Sequence, residues 1–177
     1  ELMLIIVPLV TMKTISEERR LATFELLLSA PVSRTTLVLG KYVGTMGLVV
    51  LITLLQFFML ISLELSVTLD RGLMFSAFIG LVLMLAAIVA IGIFFSSLVR
   101  HPAVAALGSA ASLLFIWNMD WSAVSEFNYR GFSGFLAMPS HLHSMLGGDL
   151  VVSDMLYFLV VSGLFLVLTI RRIDSER

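Results

Sequence analysis

Four long runs without a single Asp, Glu, Lys or Arg constrain the fold of this chain more than any other feature. These runs cover residues 42–63, 72–99, 101–119 and 155–170. The hydrocarbon core of a bilayer is about 30 Å thick, so a helix needs roughly 20 apolar residues to cross it. The first two runs suffice, and the last two do so as spans 102–119 and 151–170, with Asp154 near the interface. Four transmembrane helices are therefore predicted.

Composition favours a membrane protein over a soluble one. Hydrophobic residues make up 59% of the 177 residues and charged residues 13%, with a mean hydropathy of +1.07, whereas soluble domains are roughly 45–50% apolar. A soluble fold would need four wholly buried helices, and almost no amphipathic helix is left to cover them. The predicted fold is all-α, a polytopic helical membrane protein in which residues 1–177 form a single transmembrane domain.

The amino end is predicted to be the end of a preceding transmembrane helix. Residues 2–10 are apolar but too few to cross a bilayer. They follow Glu1 without the basic region or the small-residue cleavage site of a signal peptide. We therefore expect the sequence to begin inside a helix. The lack of cysteine excludes disulfides and thiolate metal sites, and without a basic cluster no nucleic-acid partner is expected.

The distribution of basic residues predicts which segments face the cytoplasm. If the first helix runs inward, nine basic residues fall on cytoplasmic segments: Lys13, Arg19, Arg20, Arg34, Lys41, Arg100, Arg171, Arg172 and Arg177. Only Arg71 and Arg130 fall on outer segments. This positive-inside bias places residues 13–34 and the carboxy terminus in the cytoplasm. Residues 120–149 then form an outer loop or re-entrant element.

A charged amphipathic segment, residues 16–33, follows the first helix. Thr14 with Glu17 fits a capping box, and Ser16 is an alternative N-cap. Apolar residues recur there at helical spacing and form one stripe: Leu21, Phe24, Leu27 and Leu28. Pro31 disfavours helical geometry at the residue before it and ends the helix. A surface helix of about three to four turns is expected; a passive helix anchored in the headgroups is the alternative interpretation.

Two separate stretches resemble one protein family. Residues 18–28 read ERRLATFELLL, followed by APVS at 30–33 and GKY at 40–42. Together they resemble the ER(x)xGTxExLLxxPVS…GKY stretch of ABC-2 type ABC transporter permeases. The carboxy-terminal part is similar to the last span of the gliding-motility-associated branch of these permeases. The residues that carry this second likeness are His141, Gly148, Asp154, Tyr157, Phe158, LVLT at 166–169 and the tail at 171–177.

The resemblance implies a function and a set of contact residues. In these permeases the segment that includes residues 13–34 is the coupling region, which docks onto the nucleotide-binding ATPase subunit. Eight residues are thereby implied in the interface: Glu17, Glu18, Arg19, Arg20, Thr23, Phe24, Glu25 and Pro31. The resemblance also implies a second permease subunit, identical or homologous, and a place in the bacterial inner membrane. ATP and magnesium would be bound by the ATPase, with no cofactor on this chain.

Ala22 departs from the family motif, which usually has Gly before the Thr. Ala is the better helix former, so the expected helix continues through Ala22 towards Pro31. The departure removes the reason that Gly would give to expect a close approach of another backbone at this position.

No catalytic pattern accompanies these motifs. Gly40-Lys41 is not a P-loop, because Thr35 stands where the earlier Gly is needed and Tyr42 where Ser or Thr is needed. The chain is therefore not expected to hydrolyse ATP. The GxxxG of Gly40 and Gly44 favours close helix packing within the subunit over a dimer seam.

The outer segment contains two histidines that raise a metal hypothesis. His141 and His143 point to different faces of a helix, and no third ligand has matching spacing, so no metal site is expected. Ser140 is predicted to cap a short helix that ends at Gly147 and Gly148.

The predicted function is that of the membrane-spanning permease subunit of an ABC-2 type exporter. An alternative is a subunit that passes ATP-driven motion to an external partner, and the sequence does not separate the two. A secondary transporter is disfavoured, because the predicted spans carry almost no ionisable residue for an ion relay.

The topology generates a direct test by cysteine labelling, which is clean because the chain has no native cysteine. A Cys introduced as Ser125→Cys should react with a membrane-impermeant maleimide added from the outside, because residues 120–149 are predicted to face out. Labelling of this Cys only from the cytoplasmic side would overturn the predicted orientation.

Overall fold

The described part of the chain is a bundle of α-helices. The structure, a computed structural model, describes residues 2–24, 32–63, 70–118 and 137–175. The helices within these ranges are α1 Leu2–Thr11, α2 Lys13–Arg20, α3 Arg34–Leu63, α4 Arg71–Leu98, α5 Pro102–Asn118, α6 Met138–Leu146 and α7 Val152–Asp174. No strand occurs in them. The predicted all-α fold is confirmed.

Helix α4 lies at the centre of the bundle. It contacts each of the other six described helices, and its longest interface is with α7. Leu85, Ile88 and Ile91 of α4 are fully buried, which is typical of a helix that is apolar all round. Helix α3 is different, because Leu55 and Phe58 are among many apolar side chains that it exposes. Such a face suits contact with lipid.

Three described helices are long and apolar enough to cross a membrane: Arg34–Met59 within α3, α4 and α7. They match three of the four predicted spans, so the multi-pass fold is confirmed. Helix α5 occupies the fourth predicted span, but its 17 residues extend only about 25 Å at about 1.5 Å per residue. Residue 119, the predicted end of that span, lies outside the described residues. The number of crossings stays a prediction.

Contacts between helix termini show which termini lie together at each end of the bundle. At one end Arg34, which begins α3, pairs with Asp174, which ends α7, at 2.5 Å. Helix α2 packs against the last turn of α4 at this same end. At the other end α6 packs beside Ser76 of α4 and Asp154 of α7. Helix α3 therefore runs opposite to α4, and α7 runs in the same direction as α4.

The GxxxG of α3 does not pack inside the described bundle. A Cβ built on Gly40 or Gly44 would meet no atom within 4 Å, and both residues are exposed. The favoured prediction, close packing within the subunit, is therefore wrong for the helices that the structure describes.

The start of α2 also differs from the sequence prediction. Helix α2 begins at Lys13 after Met12, which is itself helical and makes no side-chain cap. The amide of Met12 donates to the Pro8 carbonyl at 2.9 Å, so the backbone runs from α1 into α2 with little interruption. The predicted capping box of Thr14 with Glu17 and the N-cap at Ser16 are both wrong, because those residues lie inside a helix that has already started.

The end of α2 is a Schellman motif centred on Ala22. The amide of Thr23 donates to the Glu18 carbonyl at 3.0 Å, and the amide of Ala22 donates to the Arg19 carbonyl at 3.4 Å. Ala22 has a φ of 56°, the left-handed conformation that this motif needs at its C′ position. The expectation that the helix continues through Ala22 is wrong, and the Gly usual in the resembled motif suits this conformation better.

This geometry predicts that Ala22→Gly stabilises the protein. An alanine in the left-handed region costs roughly 1–2 kcal/mol because its Cβ approaches the following carbonyl oxygen, whereas glycine has no such clash. We expect the unfolding free energy to rise by about 1 kcal/mol, measured by thermal unfolding in detergent. Ala103→Gly, on an exposed helical position of α5, is the matched control and should not stabilise. A destabilised Ala22→Gly would contradict the left-handed assignment.

Candidate coupling surface

The exposed charges of α2 form a surface at the end of the bundle that also holds the Arg34–Asp174 pair. Lys13, Glu17 and Arg20 border a cleft of about 360 Å³ with His101 and Pro102 from the start of α5. We call Lys13, Glu17, Arg20 and His101 the α2 face. Glu17 and Arg20 approach to 3.8 Å, and an exposed pair of this kind contributes only about 0.2–1 kcal/mol. These charges can therefore exchange partners easily.

Glu18 faces into the protein instead of outward. Its Oε1 lies 2.6 Å from the Lys41 Nζ of α3, and the same ammonium donates to the Thr14 carbonyl at 2.7 Å. The charge of Glu18 is thus already paired within the chain, and the interface role that the resemblance implies for Glu18 stays a prediction. Glu18 and Lys41 fasten α2 to α3.

Arg19 and Thr23 also make contacts within the chain. The Arg19 guanidinium carbon lies 4.9 Å from the ring centroid of the buried Phe24, a cation–π distance. The Thr23 hydroxyl donates to the Glu18 carbonyl at 3.3 Å and so supports the turn that ends α2. Glu25 and Pro31, the other two predicted interface residues, lie outside the described residues.

Some of the predicted interface residues therefore face outward, and others face into the protein. Glu17 and Arg20 lie on the α2 face, while Glu18 and Phe24 are turned towards the protein. Sequence analysis missed Lys41, which lies 23 residues from Glu18. It also missed Ser96 of α4, whose hydroxyl accepts from the Ser16 amide 80 residues away. No local pattern could have revealed partners so distant in the sequence.

A second polar cluster lies at the opposite end of the bundle, between α6 and α7. His141 Nδ1 is 2.8 Å from Asp154 Oδ1, and the Ser144 hydroxyl donates to Asp154 Oδ2. The His141 ring stacks on Tyr157 at 4.2 Å between centroids. Asp154 is only 8% exposed, so the carboxylate predicted to lie near the interface is buried by α6.

The ends of α6 agree only partly with the sequence prediction. Its N-cap is Ala137, without a side-chain hydrogen bond, so the predicted cap at Ser140 is wrong; the Ser140 hydroxyl instead donates to the Ala137 carbonyl at 2.7 Å. The predicted end at Gly147 and Gly148 is confirmed. Gly148 has a φ of 97°, and the Asp149 amide donates back to the Ser144 carbonyl at 3.1 Å, which closes a Schellman motif.

The chemistry of this cluster is structural. Ser144 donates to the carboxylate and not to the imidazole, so the three side chains lack the serine–histidine contact of a nucleophilic triad. Among the described residues, no three His, Cys, Asp or Glu side chains converge as metal ligands. One carboxylate instead joins two side chains of α6 to α7.

Removing that carboxylate should therefore destabilise the bundle. Asp154→Ala leaves two part-buried side chains of α6, His141 and Ser144, without their acceptor, and each unsatisfied group costs about 1–3 kcal/mol. We expect a clear loss of thermal stability in detergent. Asp149→Ala, at an exposed position just after α6, is the control and should leave stability within about 0.5 kcal/mol. Equal effects of the two substitutions would show that Asp154 does not hold α6.

Comparison with known proteins gives one match. A family model described as "ABC-2 family transporter protein" matches residues 2–170, which include every described helix except the last residues of α7. No curated protein and no solved structure matches the chain significantly.

Proposed function

The chain belongs to the ABC-2 family of transporter proteins, and from this premise we propose that it is the membrane-spanning permease subunit of an ATP-driven exporter. The match over residues 2–170 is the observation that carries this proposal. In the proposed complex a partner ATPase binds and hydrolyses ATP with magnesium, and a second permease subunit, identical or homologous, completes the membrane part.

We place the docking site of the ATPase on the α2 face. The support is that Lys13 and Arg20 are exposed while Glu17 and His101 border the same cleft. This arrangement offers charges of both signs together with a concave edge, and complementary charges of this kind set the orientation and rate of protein association. The inward-facing Glu18 and Phe24 then hold the surface in shape and do not themselves contact the partner.

The orientation of the subunit follows from the same end of the bundle. Lys13, Arg34 and Lys41 lie at the end where α2 packs on the last turn of α4, and an excess of basic residues is typical of the cytoplasmic side. We therefore propose that this end and the carboxy terminus face the cytoplasm of a bacterial inner membrane. The ATPase would then reach α2 without crossing the bilayer.

A double charge swap tests the docking site. Glu17→Lys combined with Arg20→Glu keeps one positive and one negative charge at these two positions, so the pair within α2 can still form. A partner meets the reverse charge pattern. Two unfavourable exposed contacts of up to about 1 kcal/mol each should weaken association with the cognate ATPase by about tenfold. The measurement is co-purification and binding affinity of the ATPase with the full-length subunit in detergent or nanodiscs.

A charge reversal at the opposite end of the bundle provides the matched control. Asp149→Lys, at an exposed position just after α6, should leave ATPase affinity within about twofold. Unchanged affinity after the Glu17 and Arg20 swap, with a well-folded subunit, would contradict docking on the α2 face and favour a passive interfacial helix.

A further inference from the structure

The segment that connects α1 to α2 is hydrogen-bonded to one buried side chain of α4, Ser96. Its hydroxyl oxygen accepts hydrogen bonds from the amides of Ile15 and Ser16, both at 3.0 Å. The same hydroxyl donates to the Met12 carbonyl at 2.9 Å. A serine hydroxyl can donate one hydrogen bond and accept two, so Ser96 uses its whole capacity on the backbone of a single neighbouring segment.

A glycine one turn earlier on α4 brings this segment close enough. A Cβ on Gly92 would lie 2.1 Å from the Thr11 Oγ1, so only glycine allows the end of α1 to approach α4 at this point. Gly92 and Ser96 are four residues apart and share one face of α4. Together they contact the segment from Thr11 to Ser16, which joins α1 to α2.

This contact differs from the other attachment of α2. The Glu18–Lys41 pair is partly exposed and is therefore weakened by solvent and salt. The Ser96 side chain is fully buried, as are Ile15 and Ser16, and hydrogen bonds are electrostatically stronger in such surroundings than in water. The three hydrogen bonds also fix the orientation of the Ser96 hydroxyl relative to the start of α2, because they leave it no freedom to rotate. Ser96 thus connects α2 to the central helix α4 through buried hydrogen bonds of fixed geometry.

We propose that Ser96 is the positioning residue through which movement of α2 is passed to α4, and hence to the whole bundle. This inference rests on the proposed function, in which an ATPase moves α2. Without the hydroxyl, the amides of Ile15 and Ser16 can return to carbonyls of the preceding helical turn, so α2 persists but its link to α4 is lost. Loss of Ser96 should therefore separate ATPase binding from the conformational response.

The test uses the full-length subunit with its ATPase and a conformational probe on α4. Phe75, 62% exposed near the end of α4 opposite Ser96, is changed to Cys as the single cysteine of the subunit. The labelling rate of this Cys by fluorescein maleimide is measured with and without ATP and vanadate. In the otherwise native chain, ATP with vanadate should change the labelling rate at least fivefold. Ser96→Ala should reduce that change to less than twofold while ATPase affinity stays within twofold, since coupling between sites is typically 5–150-fold.

Ser97→Ala is the matched control. Ser97 is as buried as Ser96, but within the described residues its hydroxyl donates to the Phe94 carbonyl of its own helix, at 2.7 Å. This variant should keep the full ATP-dependent change. The isosteric pair Ser96→Thr and Ser96→Val guards against loss of fold, because both carry the same added bulk and only Thr keeps the hydroxyl. Thr should preserve the response and Val should lose it.

The outcomes separate the two proposals. A normal ATP-dependent change in Ser96→Ala and in Ser96→Val would overturn the role of Ser96 and leave the proposed function standing. An ATPase that binds the native subunit without any ATP-dependent change in labelling would also overturn it. An ATPase that fails to bind even the native subunit would contradict the proposed function itself.

Discussion

Close packing against α4 is the constraint on which the rest of this structure depends. Within the described ranges every other helix touches α4, which makes the most extensive interface of α1, α6 and α7. A bilayer offers no hydrophobic drive between apolar helices, so their association relies on close contact and on hydrogen bonds between them. Helix α4 supplies both, because glycine and serine residues interrupt an otherwise bulky apolar sequence at the points where neighbours must approach.

The two ends of α4 use the same device. In the first half of α4, a Cβ on Gly80 would lie 2.8 Å from the Met145 side chain of α6. The Ser76 hydroxyl, one turn earlier, donates to the Met145 carbonyl at 2.8 Å. Near its end, Gly92 and Ser96 receive α1 and α2 in the same way. In each case glycine permits the approach and a serine four residues away on the same face binds the partner's backbone. One helix therefore connects the short helices at opposite ends of the bundle.

The charge pattern predicted the long helices well, because the lack of water in a bilayer excludes ionised side chains along a span. The glycine pair after α6 likewise predicted where that helix ends. The details of α2 were less predictable. A capping signature at Thr14 and Glu17 is local, whereas the actual start of α2 is set by continuity with α1 and by Ser96 from a distant helix. The left-handed Ala22 could have been inferred, because the resembled motif has glycine at that position.

Helix α2 is bound to the bundle on its inner side and offers charges to a partner on its outer side. This difference suits a helix that transmits movement from the partner to the bundle. On its inner side, Ser96 and the Glu18–Lys41 pair bind it to α4 and α3 through buried or half-buried groups. On its outer side, the exposed Lys13 and Arg20 and the partly exposed Glu17 offer charges whose individual contacts are worth at most about 1 kcal/mol. Under the proposed function, a partner can bind and release the outer side while the inner side stays fixed. Force applied to α2 is then passed to the spanning helices, because the hydrogen bonds to Ser96 are buried and stronger than exposed contacts.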